Sequence, residues 1–267
     1  MSQTATGTIG VGVRVEARGS VSLVRIDRPP LNVLDIPTME ALDAALGKVE
    51  ASEAAVVVLA GAGAKAFSAG VDIRDHTPEK IATMLRTFHR IFRRLHATRL
   101  VSVASVHGAC LGGGMELALS CDLVVGEETA KFGLPEIRLA CFPPVGIAVL
   151  ADRYGPRLAD LCLTGETISG AEAHRLGLLT RLAAEGKAEE TARALAEGMA
   201  TGSRAVLGMT ARKMREISRP HFEHALEKAE RAYLDDLARE PDMAEGIRAF
   251  MEKRPPRYGA APAGEAR

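Results

Sequence analysis

The sequence predicts a mixed α/β (α+β) fold, with strands and helices alternating through most of the chain and helices alone towards its end. Short β-rich apolar runs, such as Ala55-Val56-Val57-Val58-Leu59-Ala60, are followed by glycine-containing loops, and helical periodicity dominates after Val145. The chain has 267 residues, 47% of them hydrophobic, so it can bury a large core. We therefore expect a repeated ββα core at residues 1–200, a helical region at 201–258 and a disordered tail at 259–267.

The individual elements follow from the spacing of apolar residues. Strands are predicted at 11–16, 21–27, 55–60, 101–106 and 123–126, the first two forming a hairpin around Gly19-Ser20. Helices are predicted at 37–49, 78–95, 188–200, 204–217, 220–237 and 241–253. Thr77 and Pro78 are expected to begin the helix at 78–95, as its cap and its first residue. Its apolar face should consist of Ile81, Leu85, Phe88, Ile91, Phe92 and Leu95.

Composition and charge exclude only a few classes of function. Lys plus Arg and Asp plus Glu both number 34, so the formal charge is zero and binding to nucleic acid is not indicated. No apolar run reaches the length of a membrane span, and the N-terminus lacks a secretory signal, so we expect a cytoplasmic protein. The cysteines lack metal-binding spacing and are expected to be reduced and buried rather than bound to a metal or paired in disulfides: Cys110, Cys121, Cys141 and Cys162.

Two glutamates twenty residues apart are the best candidates for catalysis. Glu116 follows Gly112-Gly113-Gly114-Met115 at the start of an apolar, helix-like run, and Glu136 ends Phe132-Gly133-Leu134-Pro135-Glu136. Consecutive glycines cost helix stability but let the free N–H groups of a first helical turn approach a ligand oxygen. An alternative is that the glycines serve tight packing of helix on sheet, with Glu116 favoured only by its place in the first turn.

A second glycine-containing segment lies upstream. The strand at 55–60 leads through Gly61-Ala62-Gly63 to Phe67-Ser68-Ala69-Gly70-Val71-Asp72. Taken alone, this segment is also compatible with an ordinary connection between a strand and a loop. A phosphate-binding loop is excluded, because neither GxGxxG nor GxxxxGK[ST] opens a helix after this strand.

Several motifs in order along the chain resemble the enoyl-CoA hydratase/isomerase family, also called crotonases. The resemblance covers nearly the whole chain and includes segments 23–34, 67–72, 106–116, 121–122, 132–136, 164–165 and 171–173. It implies a spiral of ββα repeats with a helical C-terminal region that forms trimers or pairs of trimers. It also implies an acyl-CoA thioester as substrate and no separate cofactor, since coenzyme A is part of that substrate.

The resemblance further implies roles for particular residues. The backbone N–H groups of Val71 and Gly113 would hold the thioester oxygen, and Glu116 and Glu136 would flank a water molecule as base and acid. Which glutamate plays which role stays open. Contacts with the substrate or with coenzyme A are expected from Pro30, Ala69, Gly70, Asp72, Ile73, Gly112, Pro143, Phe250 and Lys253. Phe250 and Lys253 could instead be a helix contact and a solvated charge.

Two histidines near these motifs carry less weight as catalysts. His107 is expected to make hydrogen bonds near the site. His76 follows the segment that carries Val71, in the loop that is expected to line the pocket for the acyl group. His76 could face the substrate, but a position at the entry of the following helix is the simpler explanation. Asp72 is expected to hold backbone geometry rather than to transfer protons.

The segment after Glu136 departs from the usual hydratase pattern. A stiff, bulky segment stands where most hydratases have a proline followed by a glycine-rich turn, and it reads Ala140-Cys141-Phe142-Pro143-Pro144-Val145-Gly146-Ile147-Ala148. This resembles the branch of the family that hydrates cyclohexa-1,5-diene-1-carbonyl-CoA in anaerobic benzoyl-CoA degradation. The alternatives are a generic short-chain 2-enoyl-CoA hydratase, an enoyl-CoA isomerase, and a noncatalytic acyl-CoA-binding or RNA-associated oligomer on the same fold.

Overall fold

Two sheets form the framework of the protein in the computed structural model, which describes residues 5–259. Strands are numbered along the chain. The larger sheet contains β1 (Ala5–Thr8), β2 (Val13–Arg18), β3 (Val21–Ile26), β4 (Val56–Gly61), β6 (Val101–Val106), β8 (Leu123–Glu127) and β11 (Arg181–Ala183), paired in that order. The smaller sheet contains β10 (Thr167–Ser169), β9 (Lys131–Gly133), β7 (Ala109–Leu111) and β5 (Ala66–Ser68), paired in that order.

The helices are likewise numbered along the chain. They are α1 (Ile36–Glu50), α2 (Ile81–Ala97), α3 (Gly113–Ser120), α4 (Ala151–Tyr154), α5 (Pro156–Thr164), α6 (Gly170–Arg175), α7 (Ala188–Ala200), α8 (Arg204–Ser218), α9 (Phe222–Arg231) and α10 (Pro241–Met251). Short 3-10 turns occupy Ile73–Asp75, Pro135–Leu139 and Leu237–Arg239. There are also two π-helical turns among the described residues. The turn at Gly146–Leu150 leads directly into α4, and the turn at Ala232–Asp236 directly follows α9.

The predicted ββα repeat is confirmed, and its geometry explains how the site is assembled. In successive repeats the first strand, β4, β6 or β8, joins the larger sheet in parallel with its neighbours. The second strand, β5, β7 or β9, crosses to the smaller sheet, where all three also run parallel. Because helices α2 and α3 follow β5 and β7, the loops after these short strands lie side by side. The two glycine-containing segments, 67–72 and 112–114, are thereby brought together; we call them the two motif segments.

The larger sheet is covered on both faces. One face packs against α1, α2 and α3 in the main hydrophobic core, which includes the whole predicted apolar face of α2. On the other face, a separate cluster joins Val56, Val58 and Val103 to small residues of α7 such as Ala192 and Ala196. The chain therefore buries its central strands β4 and β6 completely, as their uninterrupted apolar sequences predict.

Several predicted boundaries and elements are wrong. Helix α2 starts three residues after Pro78, because residues 77–80 form a separate turn in which the Thr77 carbonyl accepts the N–H groups of Lys80 and Ile81. The chain after Val145 is not wholly helical, since β10 and β11 return to the two sheets. Strands of three residues are too short to show a periodicity of two. The predicted disordered tail falls, apart from Gly259, outside the described residues.

The C-terminal helical region is present as expected, with α8, α9 and α10 following residue 201. The predicted helix at 220–237 is interrupted, because α9 ends at Arg231 and passes through a π-helical turn and a 3-10 turn. Within residues 5–259, no helix combines the length and the apolar character needed to cross a membrane. The oligomerisation role assigned to this region stays a prediction.

Candidate active site

A cavity of about 290 Å³ lies where the two motif segments meet. Its wall is formed by the loop after β5, the apolar face of α2, the start of α3, the segment after β9 and parts of the C-terminal helices. Of the residues predicted from the sequence, the structure brings these together around it: Ala69, Gly70, Val71, Ile73, Gly112, Gly113, Glu116, Glu136 and Phe250. The two glycine segments and both glutamates therefore share one cavity.

Glu116 is held in the first turn of α3 with its side chain directed into the protein. Its backbone N–H donates to the Gly112 carbonyl oxygen at 3.0 Å, and only 1% of the residue is exposed. Its Oε1 accepts a hydrogen bond from the Gly146 N–H at 2.7 Å. Gly146 begins the π-helical turn after the Pro143-Pro144 pair, so the stiff segment noted in the sequence supplies a donor to the carboxyl group.

Glu136 lies opposite, in the 3-10 turn that follows β9. Its carboxyl group lies against the backbone of Gly112: a Cβ at Gly112 would stand 2.7 Å from the Glu136 Oε1. The Glu136 Oε2 is buried and finds no hydrogen-bond partner among the described residues. A buried carboxyl oxygen without a partner is costly, which is typical of a group that acts on a ligand.

Burial raises the pKa values of both carboxyl groups. Desolvation, followed by the charge of Glu136, raises the pKa of Glu116 to about 8, although the N–H groups of Gly146 and Val145 oppose the shift. Desolvation raises the pKa of Glu136 to about 7. Since the two groups interact, the pair titrates as a unit. Near neutral pH, such a pair holds one protonated and one ionised carboxyl group, as acid and base chemistry requires.

The backbone N–H groups of Val71 and Gly113 lie next to each other in the cavity wall. A Cβ at Gly113 would be 3.4 Å from the Val71 nitrogen, and one at Gly70 would be 3.1 Å from the Gly113 nitrogen. Neighbouring amides are bonded, because Ala69 N–H donates to Leu31 and Gly112 N–H donates to Gly133. The Val71 and Gly113 N–H groups donate to no acceptor within residues 5–259. Two backbone donors without an acceptor among the described residues therefore lie side by side in the cavity wall.

The three consecutive glycines serve different purposes. Gly112 has a φ of 52°, which side chains disfavour, and it also makes room for Glu136. Gly113 leaves space beside Phe88 and Val71, each of which a Cβ would meet at 2.9 Å. Gly114 instead packs on the backbone of Ser68, with a Cβ position 2.4 Å from its carbonyl oxygen. The packing explanation thus holds for Gly114, while Gly112 and Gly113 shape the cavity.

Buried polar side chains hold the segment that carries Val71. The Ser68 hydroxyl donates to the Asn32 carbonyl oxygen at 2.8 Å and accepts from the Gly70 N–H at 3.1 Å. The Asn32 amide donates to the carbonyl oxygens of Ala62 and Ala66 and is fully buried. Both residues stand within motifs that resemble the family, but no role was predicted for them from the sequence. The sequence feature that could have identified Asn32 and Ser68 is a polar residue inside a segment of otherwise small or apolar residues.

Four predicted contact residues do not line the cavity. Asp72 instead caps the 3-10 turn at Ile73 and forms ion pairs with Arg74 and Arg28, which supports the expectation that it holds backbone geometry. Pro143 packs on Gly146, where it supports the donor to Glu116. Pro30 and Lys253 are exposed outside the cavity, so a contact with coenzyme A stays a prediction for both.

Most of the remaining wall was not predicted from the sequence, apart from Phe142 and Pro144, which belong to the stiff segment after Glu136. It is mostly apolar and aromatic and includes Met84, Leu85, Phe88, Leu111, Leu139, Phe142, Pro144 and Tyr233. Residues of α2 were predicted only as core, because the same apolar face serves both the core and the cavity. The rings of Tyr233 and Phe142 pack edge to face, with 5.0 Å between their centroids. A polar tip on the apolar face of the C-terminal helices was the available signal for Tyr233.

The cysteines and histidines form no metal site within the described part of the chain, where no group of three or more potential ligands converges. All four cysteines are free, and Cys141 lies in the cavity wall. Burial raises the pKa of the Cys141 thiol to about 11, so it is protonated at neutral pH. His107 does not line the cavity, whereas His76 does.

The chain is similar to known proteins over most of its length. The sequence profile of the enoyl-CoA hydratase/isomerase family matches residues 16–261. The cyclohexa-1,5-dienecarbonyl-CoA hydratase of Thauera aromatica is 36% identical over 243 residues, covering 91% of this chain and 94% of the relative. The short-chain-enoyl-CoA hydratase of Clostridium acetobutylicum is 32% identical over 250 residues, covering 91% and 95%.

A solved structure of an enoyl-CoA hydratase has the same fold. The crystal structure of an enoyl-CoA hydratase from Mycobacterium avium subsp. paratuberculosis K-10 superimposes with a TM-score of 0.84 at 27% identity. That similarity covers 94% of this chain and 99% of the other. The crotonase-type fold expected from the sequence is thereby confirmed. The chain belongs to the enoyl-CoA hydratase/isomerase family.

Proposed function

We propose that this protein is a hydratase that adds water to the conjugated double bond of an acyl-CoA thioester. One observation carries the proposal. Two buried carboxyl groups with raised pKa values, Glu116 and Glu136, share a cavity with two unbonded backbone N–H groups, those of Val71 and Gly113. Acid, base and oxyanion donors are the groups that hydration of such a thioester requires.

The N–H pair would stabilise the charge that develops on the thioester oxygen. When an oxygen nucleophile attacks the β-carbon, electron density moves through the α-carbon to the carbonyl oxygen. Donors already fixed in place, such as the Val71 and Gly113 amides, stabilise that charge without reorganisation, and each is worth about 10² to 10³ in rate. The role needs no particular side chain, which fits valine and glycine equally well.

The carboxyl pair would move the two protons of the reaction. The ionised member takes a proton from water as the new C–O bond forms, and the protonated member delivers its proton to carbon as the charge returns from the thioester oxygen. Each carboxyl group ends the cycle in the opposite state, so a proton must exchange between them or with solvent before the next turnover. Their close pKa values favour that exchange.

We propose a cyclic dienoyl thioester, cyclohexa-1,5-diene-1-carbonyl-CoA, as the preferred substrate, with 6-hydroxycyclohex-1-ene-1-carbonyl-CoA as the product. The similarity to the Thauera aromatica hydratase supports this choice. So does the stiff segment around Pro143 and Pro144, which shapes the wall beside both carboxyl groups. In the ring, attack at the β-carbon gives a dienolate, and the proton adds at the distal end of the conjugated system.

A generic short-chain 2-enoyl-CoA hydratase is the second candidate, supported by the similarity to the Clostridium acetobutylicum enzyme. An isomerase is disfavoured, because it moves a proton within the substrate and has no need of two paired carboxyl groups. A noncatalytic binding role would leave the unpartnered carboxyl oxygen of Glu136 without a purpose.

A direct test compares the purified protein on crotonyl-CoA and on the cyclic dienoyl-CoA in water enriched in oxygen-18. We expect one labelled oxygen per product molecule and a higher kcat/KM for the ring. A preference for crotonyl-CoA would replace the cyclic substrate by the generic one. Turnover without label would contradict hydration, and binding of both thioesters without turnover would show a noncatalytic protein.

A further inference from the structure

A second cavity, of about 270 Å³, shares the wall residue His76 with the active-site cavity. It lies between the turn that precedes α2 and helix α10, where Ile81, Met243, Ile247 and Met251 give it a largely apolar wall. Nothing in the reaction proposed above uses this space. Its apolar lining and its position beside the acyl-binding wall make it suited to a hydrocarbon chain.

His76 lies at the boundary between the two cavities. Of the residues that the structure describes, it is the one that lines both. Its ring is held in place, since Nδ1 lies 3.1 Å from the Asp72 carbonyl oxygen and the His76 N–H donates to the Ile73 carbonyl oxygen at 3.1 Å. The Asp72 side chain is in turn fixed by Arg74. The ring is therefore positioned between the two cavities, and we refer to it below as the partition.

The partition is electrically neutral at physiological pH. Because a carbonyl oxygen can only accept, the Nδ1 of His76 must carry the proton in its contact with Asp72. Burial lowers the pKa of the His76 ring, although the neighbouring Asp72 and Asp75 oppose this shift. The ring thus separates two apolar spaces without bringing a charge into either.

We propose that His76 is the residue that determines acyl size, ending the acyl-binding cavity and excluding long chains from the second cavity. This inference rests on the proposed function, because it assumes that an acyl-CoA occupies the first cavity. It predicts a protein selective for compact acyl groups, whether short or cyclic. It also predicts that loss of the ring joins the two cavities and admits a longer chain.

The test measures binding of saturated thioesters, which cannot be hydrated. Dissociation constants of butyryl-CoA and decanoyl-CoA are determined by titration calorimetry for the wild type and for His76→Ala. A buried methylene strengthens binding by about fourfold. We therefore expect the affinity of decanoyl-CoA relative to butyryl-CoA to rise by at least about tenfold in the variant. His76→Ser, whose hydroxyl can still bond the Asp72 carbonyl oxygen, is the second opening variant should His76→Ala fail to fold.

Ala244 provides the matched control, since it lines only the second cavity and is exposed on α10. In the double variant His76→Ala/Ala244→Phe, the new ring should fill the second cavity and return the affinity ratio towards the wild-type value. Ala244→Phe alone should leave the ratio unchanged. Equal ratios in the wild type and both opening variants, or a wild type that prefers decanoyl-CoA, would overturn the role of His76.

The outcomes also separate this inference from the proposed function. Binding that follows the expected ratios in a protein without hydratase activity would refute the hydratase and leave the partition standing. Hydration with unchanged ratios would refute only the partition. A wild type that binds neither thioester would overturn both.

Discussion

Gly112 meets two separate demands, and substitution should reveal both. Its φ of 52° is strained for any side chain, and a Cβ would stand 2.7 Å from the Glu136 Oε1. We expect Gly112→Ala to lower the free energy of unfolding by about 1 kcal/mol or more. Displacing the carboxyl group should also reduce kcat by about 10²-fold, because small misplacements of catalytic groups carry such costs. Urea denaturation and steady-state kinetics measure the two effects.

Gly63 is the matched control for that substitution. Its φ is 73°, and a Cβ there would meet nothing within 4 Å. Gly63→Ala should therefore lose a similar amount of stability and keep its turnover. Equal kcat values for the two variants would show that the contact between Gly112 and Glu136 has no catalytic importance.

The carboxyl pair predicts the pH dependence of the reaction. Below about pH 7 both Glu116 and Glu136 are protonated, so the base is lost, and above about pH 8 both are ionised, so the acid is lost. We expect kcat/KM to follow a bell-shaped profile with its maximum between these limits. A profile that is flat from pH 6 to pH 9, measured with a substrate that binds equally well throughout, would contradict the raised pKa values.

At the scale of elements, the sequence predicted long helices and fully buried strands well. The strand β6 was predicted to the residue, and the apolar face of α2 is buried as expected. The short strands β5, β7, β9 and β10 were not predicted, because three residues carry no periodicity and their pairing depends on distant segments. The π-helical turns were missed for a similar reason, since tertiary packing and not local sequence decides where a helix widens.

Helix α9 is joined to α2 by a partly buried contact that should be important for stability. The His89 Nδ1 lies 2.7 Å from the Glu230 Oε2, and His89 is fully buried. This bond lowers the pKa of the Glu230 carboxyl group, which is therefore ionised at neutral pH. We expect Glu230→Ala to lower the free energy of unfolding by about 1.5 to 3 kcal/mol, because it leaves a buried ring without its partner.

Glu227 is exposed on the same helix and serves as the control. Glu227→Ala makes the same chemical change without touching His89, and it should alter stability by less than about 0.5 kcal/mol. Chemical denaturation of the two variants measures the difference. Similar losses in both would mean that the contact with His89 contributes nothing specific.

At the scale of the whole molecule, the sequence predicted several of the segments that line the cavity but not how they meet. The approach of Val71 to Gly113 follows from the crossing of β5 and β7 into the smaller sheet, which no local pattern encodes. Glu116 and Glu136 were identified because their surroundings break ordinary helix and loop preferences. The donor at Gly146 and the wall residue Tyr233 come from distant segments, and only the folded chain places them beside the carboxyl groups.

Helix α8 presents exposed apolar side chains that a monomer has little reason to keep. Val206, Met209, Met214 and Ile217 are all more than half exposed, with Ile217 at 78%. In line with the trimer expected from the resemblance, we predict a mass of three or six times the 28.3 kDa chain by light scattering. Met214→Glu/Ile217→Glu should reduce that mass. A wild type of 28.3 kDa would contradict the prediction.

The most direct test of the account measures kcat and acyl-CoA affinity for Glu116→Gln and Glu136→Gln on the preferred thioester. Glutamine keeps the shape of each side chain but can neither accept nor release the required proton. We expect kcat to fall by about 10² or more in each variant, while the dissociation constant of butyryl-CoA changes by less than about threefold. Near-normal turnover by either variant would contradict it.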